Sequence, residues 1–282
     1  MIIKVFDVRG NLGVDVKIDG ISQTEYRNII LLYDRLLKTE KKSIAVARGY
    51  IYALKKCHKA NPADLWWHVI YRHYLKHSTD QSWKRTAGFA LEIAFVEFYN
   101  PLFESYGIRM ECITGHRAHQ VMEEMGIADK VGRSKLDIVI EGRCRENKLG
   151  NFRVFGGLHV KSSLAERIQD DVPASRAMME AGYWSGFFTL DAKAFPPPHG
   201  DAVVRGELGL RNNPEGALKR NYFERDGQFD NCYSYNLRTI PSVGDTLSGK
   251  RIYRLSFSDP KPDQFMRDVI ARWGSVKGRI CA

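Results

Sequence analysis

Residues 152–161, FRVFGGLHVK, form the most strand-like stretch of the chain, and they end on a lysine. The next ten residues, SSLAERIQDD (162–171), change abruptly to serines and charged side chains. An apolar, β-rich run that is bounded in this way predicts a buried strand, and a strand delivers its last side chain to one edge of its sheet. Lys161 is therefore predicted to lie at a sheet edge beside a dense group of polar residues.

A second strand pattern, KLDIVIEG (135–142), precedes the first and has Asp137 at its start. Glycine and asparagine around residues 147–151 are typical of a turn, so the two strands are predicted to be neighbours and to bring Asp137 to Lys161. An acid and an amine at one place can bind a divalent cation and position a water for attack on a phosphodiester. The alternative is a plain cross-strand salt bridge, which stabilises little when it is exposed.

The pattern before residue 80 is mostly helical, after a short N-terminal strand in MIIKVFDVRG. Ser22 has the position of an N-cap, and Pro62 follows Asn61 as a proline tolerated in a first helical turn. Apolar side chains recur at helical spacing over residues 22–38, 43–58 and 62–77.

Beyond about residue 135 the pattern alternates between strands and short helices, for example GYWSGFFTLDA and RIYRLSFSD among the strands. The expected fold class is α/β (α+β), with a mixed β-sheet core flanked by helices. We expect a mostly helical N-terminal region, residues 1–80, packed on a core formed by residues 81–282.

The longest helix is predicted over residues 82–99, SWKRTAGFALEIAFVEFY, and it should stop before Pro101. Helical geometry places Glu92 on the same face as Phe89, Ile93, Val96 and Tyr99. An unpaired carboxylate on an apolar face is costly, so Glu92 is preferred over Glu97 as a second metal-binding acid. An ion pair with a basic side chain is the alternative for either glutamate.

Charge and composition narrow the functional classes. The 282 residues include 43 Lys and Arg against 33 Asp and Glu, a formal net charge of +10, which favours a polyanionic partner such as nucleic acid. No run of about 18 apolar residues and no signal-peptide pattern is found, so we expect no membrane segment and a cytoplasmic location. The five cysteines are widely separated and predict buried free thiols rather than disulfides or a zinc site.

The polar residues after Lys161 have the chemistry of base readers. Arginine donates to guanine O6 and N7, and glutamate accepts from cytosine N4, so the pair suits G·C base pairs. An ordinary solvated amphipathic turn is the alternative. The predicted DNA-binding residues are Ser162, Ser163, Glu166, Arg167 and Asp170.

Taken in order, Glu92 on a helix, Asp137 opening a strand, Lys161 ending the next strand, and then Glu166-Arg167 resemble type II restriction endonucleases of the PD-(D/E)xK superfamily. The resemblance is stronger to the subgroup that cuts CCGG-cored or related CC/GG palindromes, and it covers about residues 82 to 210. It implies Mg²⁺-dependent hydrolysis of double-stranded DNA by a homodimer or higher homo-oligomer, with a companion DNA methyltransferase in the same system.

Carried over residue by residue, the resemblance makes Asp137 and Glu92 the metal-binding acids, Lys161 the catalytic lysine, and Glu166 with Arg167 the base readers. Leu136 replaces the proline of the signature, and His159 stands where an acid, Ser or Thr is expected. The alternative position for an acid, about a dozen residues after the lysine, holds Ala174 and Ser175. Only the helix glutamate is then left to complete the metal site.

Two other functions fit parts of the pattern. A DNA-binding regulator would use the Asp137–Lys161 pair only as a salt bridge, and a repair nuclease of the same superfamily would recognise DNA structure instead of sequence. His73 and His77 lie four residues apart on a predicted helix, a spacing that can bind a transition metal. With no third ligand near them in the sequence, they are interpreted as a polar helix face.

Overall fold

A computed structural model describes residues 1–6, 13–131, 136–144, 151–164, 168–192, 203–209 and 218–282. Over these residues the strands form two sheets, a two-stranded hairpin and a six-stranded mixed sheet. The predicted mixed sheet flanked by helices is confirmed. The strands are β1 (Ile2–Phe6), β2 (Gly13–Lys17), β3 (Ile108–Cys112), β4 (Ile138–Arg143), β5 (Phe152–Lys161), β6 (Trp184–Thr189), β7 (Asn231–Ser234) and β8 (Ile252–Arg254).

Helices precede the large sheet in the chain and are also inserted between its strands. In the described residues every one of them is too short or too polar to cross a lipid bilayer. A π-helix (Leu65–Tyr71) links α3 to α4, and a 3₁₀ turn (Glu104–Tyr106) follows α5. The α-helices are α1 (Gln23–Thr39), α2 (Lys42–Lys56), α3 (Pro62–Asp64), α4 (Arg72–Tyr74), α5 (Asp80–Phe103), α6 (Gly115–Glu124), α7 (Ala128–Val131), α8 (Ile168–Glu180), α9 (Leu218–Glu224) and α10 (Gln264–Ile280).

The large sheet has the strand order β3-β4-β5-β6-β7-β8. β3 pairs with β4 and β4 pairs with β5 in antiparallel orientation, whereas β5, β6, β7 and β8 run parallel to one another. Because β4 and β5 are antiparallel, the start of β4 lies beside the end of β5, as the hairpin pattern predicted. This arrangement fixes which ends of the two strands can share a site.

The N-terminal helices pack into the same apolar core as the sheet. Tyr50 on α2 meets Phe257 edge to face at 6.4 Å, and Phe95 on α5 meets Phe188 on β6 at 4.1 Å between ring centroids. Aromatic pairs at such distances add to the stabilisation from burial. The described part of residues 1–80 thus contacts the core, and the boundary at residue 80 stays a prediction.

The predicted N-cap at Ser22 is present. Its hydroxyl accepts the Glu25 backbone N–H at 3.1 Å, and the Glu25 carboxylate accepts the Ser22 N–H at 2.7 Å, which completes a capping box. The predicted end of the long helix before Pro101 is wrong, because α5 continues to Phe103. The Asn100 amide exchanges hydrogen bonds with the backbone of Met110 on β3, and this tertiary anchor holds the last turn in place.

The prediction of free cysteines is wrong for two of the five. Cys144 and Cys281 form a disulfide that joins the end of β4 to the end of α10, across a separation of 137 residues. The pairing depends on how α10 packs on the sheet, so neither cysteine carries a local signal in the sequence. Cys57 and Cys232 are buried free thiols as predicted, and Cys112 is a half-buried one.

Replacing Cys281 with alanine is expected to lower the free energy of unfolding by about 2–4 kcal/mol, because a disulfide that closes a long loop restricts the unfolded chain. Urea unfolding of the oxidised protein and the variant measures the difference. In excess reductant the two proteins should unfold alike, and a difference that persists there would contradict a stabilising role for the disulfide.

Candidate active site

The start of β4 and the end of β5 bring an acid and a lysine together. Asp137 directly precedes β4, and its Oδ2 accepts the Val160 backbone N–H at 2.7 Å and the Lys161 ammonium at 3.0 Å. The predicted convergence of Asp137 and Lys161 is therefore confirmed as geometry. The backbone hydrogen bond fixes the carboxylate against β5, so its orientation does not depend on the lysine alone.

A second acid reaches the same lysine from α8. The buried Asp171 carboxylate lies 2.9 Å from the Lys161 ammonium. Burial by itself would lower the pKa of Lys161, but the two carboxylates outweigh it and raise the pKa, so the lysine is a cation at neutral pH. Lys161 is thus held between Asp137 and Asp171.

Glu92 approaches this group from α5. Its side chain is buried, as are those of Leu91 and Phe95 on the same helix, whereas Phe89, expected on the same face as Glu92, is 39% exposed. Burial, together with the charge of Asp137, raises the pKa of Glu92 to about 8, while Lys161 opposes the rise. Glu97, the other glutamate considered, is exposed. The structure therefore places Glu92, and not Glu97, in electrostatic contact with the Asp137–Lys161 pair.

The donor set fits a hard divalent cation. No hydrogen bond or ion pair to the Glu92 carboxylate is found within the described residues, and the charge of Asp137 opposes its ionisation. Ionising a buried acid in this position is costly unless a cation compensates the charge. Carboxylate oxygens are the ligands that Mg²⁺ prefers. Glu92 and Asp137 are thus the acids that could hold such an ion.

The predicted base readers are only partly described. Glu166 and Arg167 lie outside the described residues. Ser163 donates its hydroxyl to the Glu207 carboxylate at 2.9 Å, and the Ser162 carbonyl accepts the Ala192 N–H at 2.7 Å. Asp170 is exposed on the first turn of α8, next to the buried Asp171. The described members of the set therefore lie beside the Lys161 group, and their contact with DNA stays a prediction.

A buried aspartate positions the segment that contacts Ser163. Asp191, which follows β6, accepts the backbone N–H groups of Glu207 at 2.6 Å and Leu208 at 3.2 Å. Gly206 has φ +83°, and a Cβ there would lie 2.0 Å from the Asp191 carboxylate, so only glycine fits. Residues 206–208 are thereby held against the end of the sheet. Glu207 was not singled out by the sequence analysis, because its place depends on this long-range anchor.

Burial raises the pKa of Asp191 to about 7, although the N–H groups of Glu207 and Leu208 oppose the rise. Since the folded state keeps the proton to a higher pH than the unfolded chain, this group's contribution to stability is complete at low pH and declines between about pH 4 and pH 7. Relative to Asp191→Asn, the free energy of unfolding should fall by at most about 4 kcal/mol over that window. Denaturation curves of both proteins at several pH values measure this fall. If the free energy of unfolding changed equally with pH in wild type and Asp191→Asn, the raised pKa of Asp191 would be contradicted.

Asp171 is the main site residue that the sequence analysis did not assign to the active site. The alternative position for an acid after the lysine falls on Ala174 and Ser175, one turn further along the same helix. Asp171, Ala174, Ser175 and Met178 are all buried on α8. The helical spacing was available as a signal, because residues three and four apart share a face.

His159, which stands where the signature has an acid, Ser or Thr, is buried against Phe229, with ring centroids 5.3 Å apart.

A mixed sheet that brings an acid and a lysine together at the adjoining ends of two antiparallel strands, with a buried helix glutamate beside them, is the arrangement of restriction-endonuclease-like nucleases. Residues 117–261 match the family described as BsaWI restriction endonuclease type 2. The chain belongs to this family and is a type II restriction endonuclease.

A curated relative supports this assignment over nearly the whole chain. The type II restriction enzyme AgeI of Thalassovita gelatinovora is 43% identical over 274 residues, which cover 94% of this chain and 98% of the relative. The crystal structure of a specific restriction endonuclease AgeI–DNA complex superposes with a TM-score of 0.89 at 42% identity, covering 96% of this chain and 99% of that one. This similarity extends into the N-terminal region, beyond the residues 82 to 210 that carry the resemblance in the sequence.

Proposed function

We propose that this endonuclease hydrolyses both strands of double-stranded DNA at a short palindrome containing CCGG, with Mg²⁺ as its cofactor. The observation that carries the proposal is the ammonium of Lys161 held between Asp137 and Asp171 beside the buried Glu92. Restriction endonucleases of this kind are generally dependent on divalent metal ions. The AgeI–DNA complex supports duplex DNA as the substrate, because that relative is similar over almost its full length.

The roles of the side chains follow from their charges. Asp137 and Glu92 would hold the metal ion, which supplies a more acidic bound water and compensates charge on the phosphate. Lys161 orients the attacking water and stabilises the negative charge that builds on the scissile phosphate. Asp171 and Asp137 fix the position of the ammonium, so little reorganisation is needed during the reaction.

The CCGG core is proposed from the residues that follow Lys161. Glu166 and Arg167 have the chemistry to read C·G pairs, and Ser162, Ser163 and Asp170 add polar groups beside them. Ser162 and Ser163 directly follow Lys161, and Asp170 directly precedes Asp171, so these polar groups adjoin the active-site residues in the chain. The cut position within the palindrome does not follow from these residues.

Two copies of the chain are proposed to act on each palindrome, as a homodimer or within a larger homo-oligomer, because a palindromic site mirrors a twofold axis. A companion DNA methyltransferase is also proposed, since a short palindrome recurs throughout a genome and must be protected in the host. Light scattering of the complex with cognate duplex measures the number of chains. A single chain on each duplex at saturation would contradict the assembly.

Incubating plasmid DNA with the protein and Mg²⁺ tests the proposed function. Discrete fragments whose ends map to one CCGG-containing palindrome are expected, and a chelator should prevent cleavage. Sequencing the fragment ends identifies the site. Cuts at DNA junctions or flaps without a common sequence would instead indicate a structure-specific nuclease, and tight binding without cutting in any divalent metal would indicate a DNA-binding regulator.

Arg167→Ala is expected to lose about 1–3 kcal/mol of discrimination at one base pair, because an arginine reads guanine through two hydrogen bonds. Cleavage rates on the cognate duplex and on singly substituted duplexes measure this loss position by position. Arg225→Ala, which removes an exposed arginine paired with Asp226, is the matched control and should keep the discrimination. An equal loss of rate on all duplexes would assign Arg167 to a phosphate contact.

A further inference from the structure

A second group of potential metal ligands lies in the N-terminal helices, away from the acids around Lys161. Asp34 on α1 places its Oδ1 2.6 Å from Nε2 of His73 on α4 and 3.0 Å from Nε2 of His77, in the turn that follows α4. The two imidazole Nε2 atoms are 3.3 Å apart. These histidines do not form a plain solvated helix face, because tertiary packing brings the Asp34 carboxylate to both rings and buries His73.

The three atoms have the spacing of ligands around a tetrahedral metal ion. With metal–ligand bonds of about 2.0–2.1 Å, neighbouring ligand atoms of a tetrahedral zinc site lie about 3.3 Å apart. The three ligand atoms lie 2.6, 3.0 and 3.3 Å apart, so only the two shorter distances must increase slightly to reach that geometry. Within the described part of the chain, this is the one group of three such ligand atoms that all lie within 4.8 Å of each other.

Hydrogen bonds alone cannot satisfy all three contacts among Asp34 Oδ1, His73 Nε2 and His77 Nε2. A neutral imidazole nitrogen either donates or accepts, so two neutral rings can satisfy at most two of the three contacts. If both rings donate to Asp34, their N–H groups face each other at 3.3 Å; if only one donates, a lone pair of the other faces the carboxylate. A cation in the centre would be favoured by all three atoms at once.

The surroundings leave the group open to an ion on one side. Asp34 and His77 are partly exposed, which leaves access for the ion and for a water as fourth ligand. The preceding π-helix is a rare form that is frequent at functional sites.

We propose that Asp34, His73 and His77 bind one divalent transition-metal ion, of which Zn²⁺ is the representative, at a site separate from the catalytic acids. The bound ion joins α1 to the end of α4 and so stabilises the N-terminal helices. The buried Nδ1 of His73 has no hydrogen-bond partner within the described residues. A missing outer hydrogen bond costs about 10–100-fold in metal affinity, so the site is expected to be weaker than a structural zinc site.

Titrating the metal-free protein with Zn²⁺ against a chromogenic chelator tests the proposal, with excess Mg²⁺ present to occupy the catalytic acids. One equivalent per chain is expected to bind, and Co²⁺ should give the visible absorption of a four-coordinate ion. His77→Gln, which changes a half-exposed side chain and should fold normally, is expected to weaken binding at least about 10-fold. The melting temperature of the wild type, but not of this variant, should rise with Zn²⁺.

The matched control is His119→Gln, which alters another exposed histidine that pairs with a carboxylate, here that of Glu123. This control should bind Zn²⁺ as the wild type does. Mg²⁺-dependent DNA cleavage by His77→Gln should be unchanged, which separates this site from the catalytic one. Equal Zn²⁺ affinity of wild type and His77→Gln, or no binding to either, would overturn the proposal and leave a hydrogen-bonded cluster only.

Discussion

Lys161→Ala is expected to slow DNA cleavage by about 1000-fold or more while DNA binding is largely kept. The ammonium is the one cation that contacts both Asp137 and Asp171 among the described residues, and removing a group that stabilises transition-state charge costs about 10²–10³ in rate or more. Single-turnover cleavage of cognate duplex with enzyme in excess measures the chemical step. Binding is measured separately with Ca²⁺ in place of Mg²⁺.

The variant needs a control for folding, because removing the lysine takes a cation away from the buried Asp171. The double change Lys161→Ala with Asp171→Asn also removes the Asp171 charge and should regain stability without regaining cleavage. Lys17→Ala breaks an exposed lysine–aspartate pair with Asp19 and serves as the matched control, with a rate equal to that of wild type. Cleavage by Lys161→Ala at a rate close to wild type would reject the catalytic assignment of this lysine.

Asp171→Asn is expected to reduce the single-turnover rate by about 100-fold, because a displacement of about 1 Å at a reacting group can have an effect of that size. The amide keeps the shape of the side chain but not the charge that holds Lys161 at 2.9 Å. The loss should appear in the rate of cleavage and not in DNA affinity. The change also removes one of the two carboxylates that raise the pKa of Lys161.

Two further variants separate a positioning role from a general loss of stability. Asp171→Glu restores the charge and should recover part of the rate, whereas a purely structural role would make the longer side chain as harmful as the amide. Asp129→Asn, at an exposed position on α7, is the matched control and should cleave as wild type does. Unaltered cleavage by Asp171→Asn would show that Asp137 alone is sufficient to hold the lysine.

The hairpin of β4 and β5 shows how much of the site local sequence can predict. Two apolar runs separated by a turn are enough to predict antiparallel neighbours, and antiparallel pairing makes the start of one strand meet the end of the next. Asp137 and Lys161 could therefore be placed together from the sequence alone. The helical period also placed Glu92 on an apolar side of α5, although Phe89 on that predicted face is exposed.

Asp171 shows where that reasoning stops. Its distance from Lys161 along the chain does not reveal that α8 folds back over the end of β5. The charged residues Asp170 and Arg167 near it in the sequence were equally plausible members of the site. Only the packing of α8 on the sheet distinguishes the buried Asp171 from the exposed Asp170. The same holds for Glu207, whose position depends on the anchor at Asp191, far away in sequence.

The amino-acid sequence by itself determined the class of fold, the pairing of the two site strands and the acid and lysine that they bring together, because these depend on short-range periodicity and turn chemistry. The tertiary structure alone decided the second acid on Lys161, the disulfide between Cys144 and Cys281, and the meeting of Asp34 with His73 and His77. Each of these depends on which helix faces pack together, and packing is selected by the burial of the whole core rather than by any local stretch.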